Sequence, residues 1–294
     1  MRPLTFTVML LTLFSAPLAH ANLGDALRFA PASASAVYYA DWKAVLEDMA
    51  AAWPAEPTPG DTEFVRTMAG RHAFVTSTAT AQARNPWYVG EQWSWTFLDL
   101  EWELETSAWV SVLRFVPDVD AAAVLALAQE RGYSAANHGD VTVYSHERDN
   151  SLEWLRPPFF AYQNLAYLAD ERVLLLAPTT AALHEALDAY AGEVPSLADD
   201  VNASGLAETL DGVFGAVLLT SASACMIPDA DTEVPQYELA GVGYHVDDSG
   251  THGVVGLAQA GEVSAYTDPI DAPGTLIYAA LVGSAAFLGC RGPG

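Results

Sequence analysis

Basic residues are scarce in this chain. Twelve lysines and arginines stand against 37 aspartates and glutamates, which gives a formal net charge of −25 at pH 7. Lys43 is the only lysine among the 294 residues. A surface with this imbalance repels phosphate groups, so we expect neither nucleic acid nor an anionic membrane as a partner. Lys43 is also the one side-chain amine available for Schiff-base or phosphate chemistry.

Motifs of the common enzyme classes are missing as well. The chain has no G-x-S-x-G nucleophile elbow, no phosphate-binding P-loop and no C-x-x-C pair. Gly241-Val242-Gly243 lies within an alternating run that predicts a strand, so it is not a dinucleotide-binding turn. We therefore predict no cofactor, and no catalytic residue can be assigned.

Cysteine is limited to two residues, Cys225 and Cys290. Outside the cytoplasm the two thiols can form a disulfide. In the chain-entropy model a loop of that length would stabilise the fold by about 4 kcal/mol. Two free thiols are the alternative, because Cys290 lies four residues from the end of the chain.

The first 21 residues have the pattern of a secretory signal peptide. Arg2 precedes an uncharged apolar run, and Ala19-His20-Ala21 has the small-residue spacing of a cleavage site. An uncleaved anchor is the alternative, but the apolar run is shorter than the roughly 20 residues that a bilayer requires. We therefore expect an exported protein that is periplasmic, on the cell surface or secreted.

Periodicity predicts an α+β fold. Residues 108–192 read as a β-α-β-β-β-α unit, with helices that end at Gly132 and Gly192. The β-then-helix order recurs along the chain and predicts two related lobes of mainly antiparallel sheet with packed helices. We place the first lobe at 22–192 and the second at 193–294, with a helix from 196 to 212 that is interrupted near Gly205.

The segment WSWTFLDLEWELE (93–105) allows two interpretations. From residue 98 onward apolar and acidic residues alternate, which is typical of a half-buried strand. The acidic face carries Asp99, Glu101, Glu103 and Glu105. Counting back, Trp93 and Trp95 fall on this same face, where they could stack a sugar or a cation that the carboxylates bind. The other interpretation is a bulge near Phe97 that returns the aromatic residues to the core and leaves a solvated acidic ladder. Burial is worth roughly 2–3 kcal/mol for each aromatic residue, which favours the bulge.

The predicted hairpin at 238–260 is a candidate metal site. A two-residue loop at Asp248-Ser249 places His245 directly opposite His252 and turns Asp247 to the same face. Two imidazoles and a carboxylate form a competent set of ligands for zinc or copper. Solvent-exposed histidines beside a turn are the alternative interpretation.

The segment at 274–290 contains no charged residue. It is short for a membrane span, and we predict no transmembrane segment. A buried terminal strand or helix is the favoured interpretation. A weak C-terminal anchor and an error in the gene sequence are the alternatives.

Three motifs follow one another within 108–147: AWVSVLRF, an acid-capped helix that ends in ERGY, and DVTVYSHE. Through this succession residues 95–220 show a resemblance to exported bacterial proteins that have no assigned activity. It implies an exported protein of bacterial type and no catalytic residues. The sequence as a whole thus favours a non-catalytic binding or envelope-associated module with an unknown small-molecule or protein ligand. The alternative is a hydrolase that uses acidic residues near 93–105.

Overall fold

The computed structural model describes residues 23–53, 58, 61, 63–64, 67–68, 72, 93–119, 122–146, 162–220, 238–247 and 250–269. The leader at 1–21, the cysteines Cys225 and Cys290, and the segment at 274–290 lie outside the described residues. The signal peptide, the disulfide and the placement of the C-terminal segment therefore stay predictions.

The described strands form one antiparallel sheet, which confirms the α+β class. The order across the sheet is β11-β10-β9-β8-β1-β2-β3-β7-β6-β5-β4. The strands are β1 (Ala36–Ala40), β2 (Leu100–Thr106), β3 (Ser111–Phe115), β4 (Ser134–His138), β5 (Val141–Ser145), β6 (Asn164–Leu168), β7 (Val173–Ala177), β8 (Gly215–Thr220), β9 (Leu239–Asp247), β10 (Gly250–Gln259) and β11 (Glu262–Pro269).

The described α-helices are α1 (Leu23–Ala26), α2 (Trp42–Ala52), α3 (Ala122–Glu130), α4 (Thr180–Ala191) and α5 (Val201–Thr209). Within these described segments, no helix is both long enough and apolar enough to cross a membrane. The predicted helix ends are confirmed, because Gly132 and Gly192 both have a positive φ, of 83° and 75°. Thr179 caps α4 by accepting a hydrogen bond from the Ala182 N–H at 3.1 Å.

The unit at 108–192 contains one strand more than the sequence indicated. Its order is β3-α3-β4-β5-β6-β7-α4, so four strands follow the helix rather than three. The additional strand, β4, pairs with β5 from Ser134↔Ser145 to His138↔Val141. Four of its five residues are exposed, because β4 is the last strand at this edge of the sheet. It therefore lacks the buried alternation on which prediction of a strand depends.

Helices pack on both faces of the sheet. Face A carries α1, α4 and α5, and face B carries α2 and α3. Strand β7 shows the consequence for the sequence. Val173, Leu175 and Ala177 pack into the core on face A, while Leu174 and Leu176 pack into the core on face B. A strand covered on both sides reads as a continuous apolar run, which is why VLLLA shows no alternation.

The two predicted lobes share this sheet. Strand β1 pairs with β2 on one side and with β8 on the other, so that Tyr39 lies opposite both Leu104 and Ala216. Residues from before and after position 193 also pack into the same core on face A. The two parts of the chain are thus joined along the pairing of β1 with β8. The domain boundary at 192–193 stays a prediction.

Helix α5 lies close to the sheet because glycines form the surface beneath it. A Cβ atom at Gly256 would lie 2.5 Å from Leu206 Cδ2, and one at Gly241 would lie 2.8 Å from Leu210 Cδ1. Gly205 belongs to the same contact, since its Cβ would lie 2.8 Å from a methyl group of Val263. The expected interruption near Gly205 is therefore wrong: the helix continues from residue 201 to 209, and the glycine serves close packing.

Candidate functional site

A cleft opens on the sheet at the C-terminal end of α5. Its volume is about 430 Å³, within the range of small-molecule sites. The lining comes from the end of α5, the turn that follows it and strands β9 to β11: Thr209, Asp211, Gly212, Val213, Phe214, His245, Val246, Val254 and Ala265. The cleft therefore has a mainly apolar surface with three polar side chains.

The local sequence explains the position of the cleft. Gly212 turns the chain with a φ of 75°, a left-handed conformation that glycine adopts without strain, and the chain then enters β8. Val213 is buried on face A just beyond this turn. On the opposite side, Ala265 of β11 is exposed and contributes only a methyl group. Small residues thus leave space where the helix ends.

The three polar side chains of the cleft differ in whether they are available to contact a ligand. The Thr209 hydroxyl donates a hydrogen bond to the Gly205 carbonyl at 2.9 Å and is used within α5. Asp211 is exposed, and His245 is half-buried. A carboxylate and an imidazole on an apolar surface suit a small ligand that has an apolar body and one polar group.

The predicted register of the β9–β10 hairpin is confirmed. His245 pairs with His252, and Asp247 pairs with Gly250. The centroids of the two imidazole rings lie 5.2 Å apart, with an angle of 19° between the ring planes. The side chain of Asp247 lies outside the described part of the structure, and so does the predicted loop at 248–249. Among the described side chains, no group of three histidines, cysteines or acidic residues could hold a metal ion.

The segment at 93–105 changes phase as predicted, but a 3-10 turn rather than a bulge lies at Phe97, and the bulge follows a few residues later. The register of β2 against β3 shifts between Leu100 and Trp102, directly after a turn of 3-10 helix at Phe97–Asp99. Trp93, Trp95 and Phe97 consequently return to the core on face B. The prediction that these aromatic residues are buried is confirmed.

The two tryptophans have their rings in contact with other side chains. Trp93 stacks on Tyr162 at a centroid distance of 4.7 Å, and the Arg131 guanidinium lies 4.3 Å from the same ring. Trp95 meets Phe115 edge to face at 5.8 Å. Within the described residues, neither indole N–H has a hydrogen-bond partner. A ligand of Trp93 or Trp95 would have to displace these neighbouring side chains. Ligand binding by the two tryptophans stays a prediction.

The prediction of a solvated acidic ladder on β2 is wrong. The exposed fraction of Glu103 is 1% and that of Glu105 is 7%, because the segments on face B cover this side of β2. Glu105 accepts a hydrogen bond from the buried Ser111 hydroxyl at 3.2 Å. Burial raises the pKa of Tyr162 well above its ordinary value, and the nearby charge of Glu103 raises it further.

The other two carboxylates of this segment have structural partners. Asp99 accepts a hydrogen bond from the Thr96 N–H at 2.6 Å and completes a capping box. One oxygen of Glu101 lies 3.1 Å from Arg114 Nε and 3.2 Å from Arg172 Nη2. Asp99 and Glu101 therefore stabilise the fold through these contacts. No observation in the segment at 93–105 favours a hydrolase.

Two close pairs involving histidine were not predicted from the sequence. His72 is buried on face B, where its Nε2 lies 2.9 Å from Asp48 Oδ2. His138 of β4 bonds Asp188 of α4, and its ring stacks on His184 at 3.9 Å. The positions of His184 and Asp188, four residues apart on one helix, were a usable signal. No local pattern joins His72 to a partner 24 residues away.

Comparison with known proteins adds little to this picture. No family model matches the chain, and no curated protein matches it. The chain is similar to two solved structures, crystal forms I and IV of TP0453, with TM-scores of 0.40 and 0.41 at 6% and 7% identity. These matches cover 88% and 89% of this chain and 96% and 99% of the other. The outcome agrees with the resemblance to proteins of no assigned activity, and such weak similarity assigns no function.

Proposed function

We propose that this protein is an exported, non-catalytic binding module that holds a small ligand in the cleft at the end of α5. One observation carries the proposal: a cleft of about 430 Å³ in which apolar side chains lie beside an imidazole and a carboxylate. Sites for small ligands have this combination of apolar surface and few polar groups.

The charge of the chain narrows the class of ligand. Asp211 is exposed at the cleft, in a chain whose formal net charge is −25. An anionic ligand would be repelled by this field, so we propose a neutral or cationic amphiphile. Its apolar part would contact Val213 and Val254, and its polar part would lie toward Asp211 and His245.

Export is proposed from the leader at 1–21, which combines a positive start, an apolar run and a small-residue cleavage pattern. N-terminal sequencing of the protein produced in a bacterial host is the test. We expect the mature chain to begin at Asn22. A soluble cytoplasmic chain that begins at Met1 would contradict export.

Blocking the cleft tests ligand binding. Ala265 is an exposed cleft residue, so Ala265→Trp should fill the space without disturbing the core. Ser264, its exposed neighbour, points to the other face of β11, and Ser264→Trp is a matched control. The probe is N-phenyl-1-naphthylamine, a neutral apolar fluorophore whose emission rises in an apolar environment.

We expect the wild-type protein and Ser264→Trp to enhance the emission of the probe equally. Ala265→Trp should weaken probe binding at least tenfold while its circular dichroism spectrum stays unchanged. Equal binding by all three proteins would place the probe elsewhere and contradict the proposal, as would the absence of binding by the wild type.

A further inference from the structure

We propose that the cleft at the end of α5 selects a cationic amphiphile, whose positively charged head group lies at Asp211. The proposal rests on the proposed function, because it concerns the same cleft, and it narrows the ligand to one charge class. Three features support it: the position of Asp211 relative to α5, the absence of basic residues from the part of the chain that forms the cleft, and the chemistry of the possible head groups.

Asp211 lies at the end of a helix that disfavours an acidic residue. Helix α5 ends at Thr209, and the Asp211 N–H lies 3.4 Å from the Glu208 carbonyl of its last turn. The C-terminal end of a helix carries a partial negative charge, which favours a lysine or an arginine at this position. The last turn of α5 contains no basic residue, and the side chains of Glu208 and Asp211 are both exposed. The end of α5 and its two carboxylates therefore add negative potential at the cleft.

The part of the chain that forms the cleft also contains no counter-charge of its own. All residues that line the cleft lie within 209–265. Residues 173–290 include sixteen aspartates and glutamates but neither lysine nor arginine. Elsewhere in the sheet, by contrast, Glu101 is paired with both Arg114 and Arg172. A cation bound in the cleft would thus supply the positive charge that this part of the chain lacks.

A cationic head group gains more from this site than a neutral or an anionic one. A neutral head group displaces water from the Asp211 carboxylate and returns at most a neutral hydrogen bond, whereas an ammonium group returns a charge-assisted one. Of the residues that line the cleft, only a protonated His245 could neutralise an anionic head group. The anion would also lie in the negative potential at the end of α5. We therefore expect selection for positive charge.

Displacement of N-phenyl-1-naphthylamine from the full mature chain measures this selectivity. The competitors are decylammonium, decanol and decyl sulfate, which share one alkyl chain and differ in the charge of the head group. Asp211→Asn removes the carboxylate charge and preserves the shape of the side chain. Asp140→Asn is the matched control, because it changes the net charge equally. Asp140 is exposed in the turn between β4 and β5, at the opposite edge of the sheet from β9 to β11.

We expect Asp211→Asn to weaken the binding of decylammonium about fivefold in a buffer of low ionic strength. The same variant should bind decanol as the wild type does and should bind decyl sulfate more tightly. Added sodium chloride should reduce the loss for decylammonium, because salt screens exposed charges. Asp140→Asn should leave all three affinities unchanged.

Binding of decylammonium that Asp211→Asn leaves unchanged, or that Asp140→Asn weakens equally, would overturn the proposal. If Ala265→Trp still excludes N-phenyl-1-naphthylamine in that case, the cleft remains the ligand site and only the charge class is wrong. Wild-type protein that does not bind N-phenyl-1-naphthylamine would overturn the proposed function and the charge class together.

The stability of the ligand-free protein gives a second readout. Asp211→Asn should raise the urea midpoint, because it removes a negative charge from the negative end of α5. Decylammonium should then raise the midpoint of the wild type more than that of the variant. A midpoint that Asp211→Asn lowers or leaves unchanged would mean that the carboxylate does not oppose the helix, and it would overturn the proposal.

Discussion

Trp109 combines two unusual features in the hairpin between β2 and β3. Its exposed fraction is 52%, and its φ is 62°. The Trp109 N–H donates to the Thr106 carbonyl at 2.9 Å, and the Thr106 N–H donates to the Val110 carbonyl at 3.0 Å. This three-residue loop places its last residue in the left-handed conformation that hairpins normally reserve for glycine.

The backbone conformation and the partial burial of Trp109 predict which of two variants, Trp109→Ala or Trp109→Gly, is more stable. A left-handed backbone destabilises an L-residue by roughly 1–2 kcal/mol, and glycine avoids that penalty. Trp109→Ala keeps the penalty and also loses the contacts of a half-buried indole, about 100 Å² or at most about 2 kcal/mol. Trp109→Gly loses the same contacts but relieves the backbone. We therefore predict that the glycine variant is more stable than the alanine variant by about 1 kcal/mol.

Urea denaturation followed by circular dichroism measures this difference. Ala108→Gly is the matched control, because Ala108 lies in the same turn without a positive φ. There glycine should lower the free energy of unfolding by about 0.5 kcal/mol, the usual order of the two residues. An alanine variant at position 109 that equals or exceeds the glycine variant would refute the reasoning about the turn.

Three further predictions concern the packing and charges of the fold. Gly256→Ala should lower the free energy of unfolding by about 1–3 kcal/mol, because its Cβ would lie 2.5 Å from Leu206 Cδ2; a urea midpoint that does not change would contradict the glycine contact beneath α5. Glu101→Gln should destabilise by roughly 1–2 kcal/mol in urea, since it leaves two guanidinium groups without their shared carboxylate; equal stability would mean that the ion pairs are replaced by water. Hydrogen bonds from the Ser196 N–H and hydroxyl lower the pKa of Asp199, so its stabilisation is present at neutral pH and lost as the pH falls through that lowered pKa; the stability difference between Asp199→Asn and wild type should therefore shrink from pH 7 to pH 3, and a constant difference would argue against it.

The features that the sequence predicted correctly depend on residues that are close together in the chain. The left-handed glycines Gly132 and Gly192 end their helices as the sequence indicates. The register that pairs His245 with His252 follows from strand alternation and a two-residue loop. Both features depend on a few neighbouring residues, which is why the sequence alone sufficed.

Other features depend on segments that are distant in the chain. The acidic face of β2 reads as solvated, but Glu103 and Glu105 are buried because segments on face B cover it. Gly205 reads as a helix breaker, whereas its role is set by Val263 on another element. The cleft likewise combines the end of α5 with three strands, and no local motif marks it.

A native mass spectrum of the mature protein, purified from the host envelope without added ligand, tests the central claim most directly. We predict a chain that begins at Asn22 and carries a bound small molecule in the wild type and in Ser264→Trp, but not in Ala265→Trp. A bound species that is present equally in all three proteins, or absent from all three, would contradict binding in the cleft.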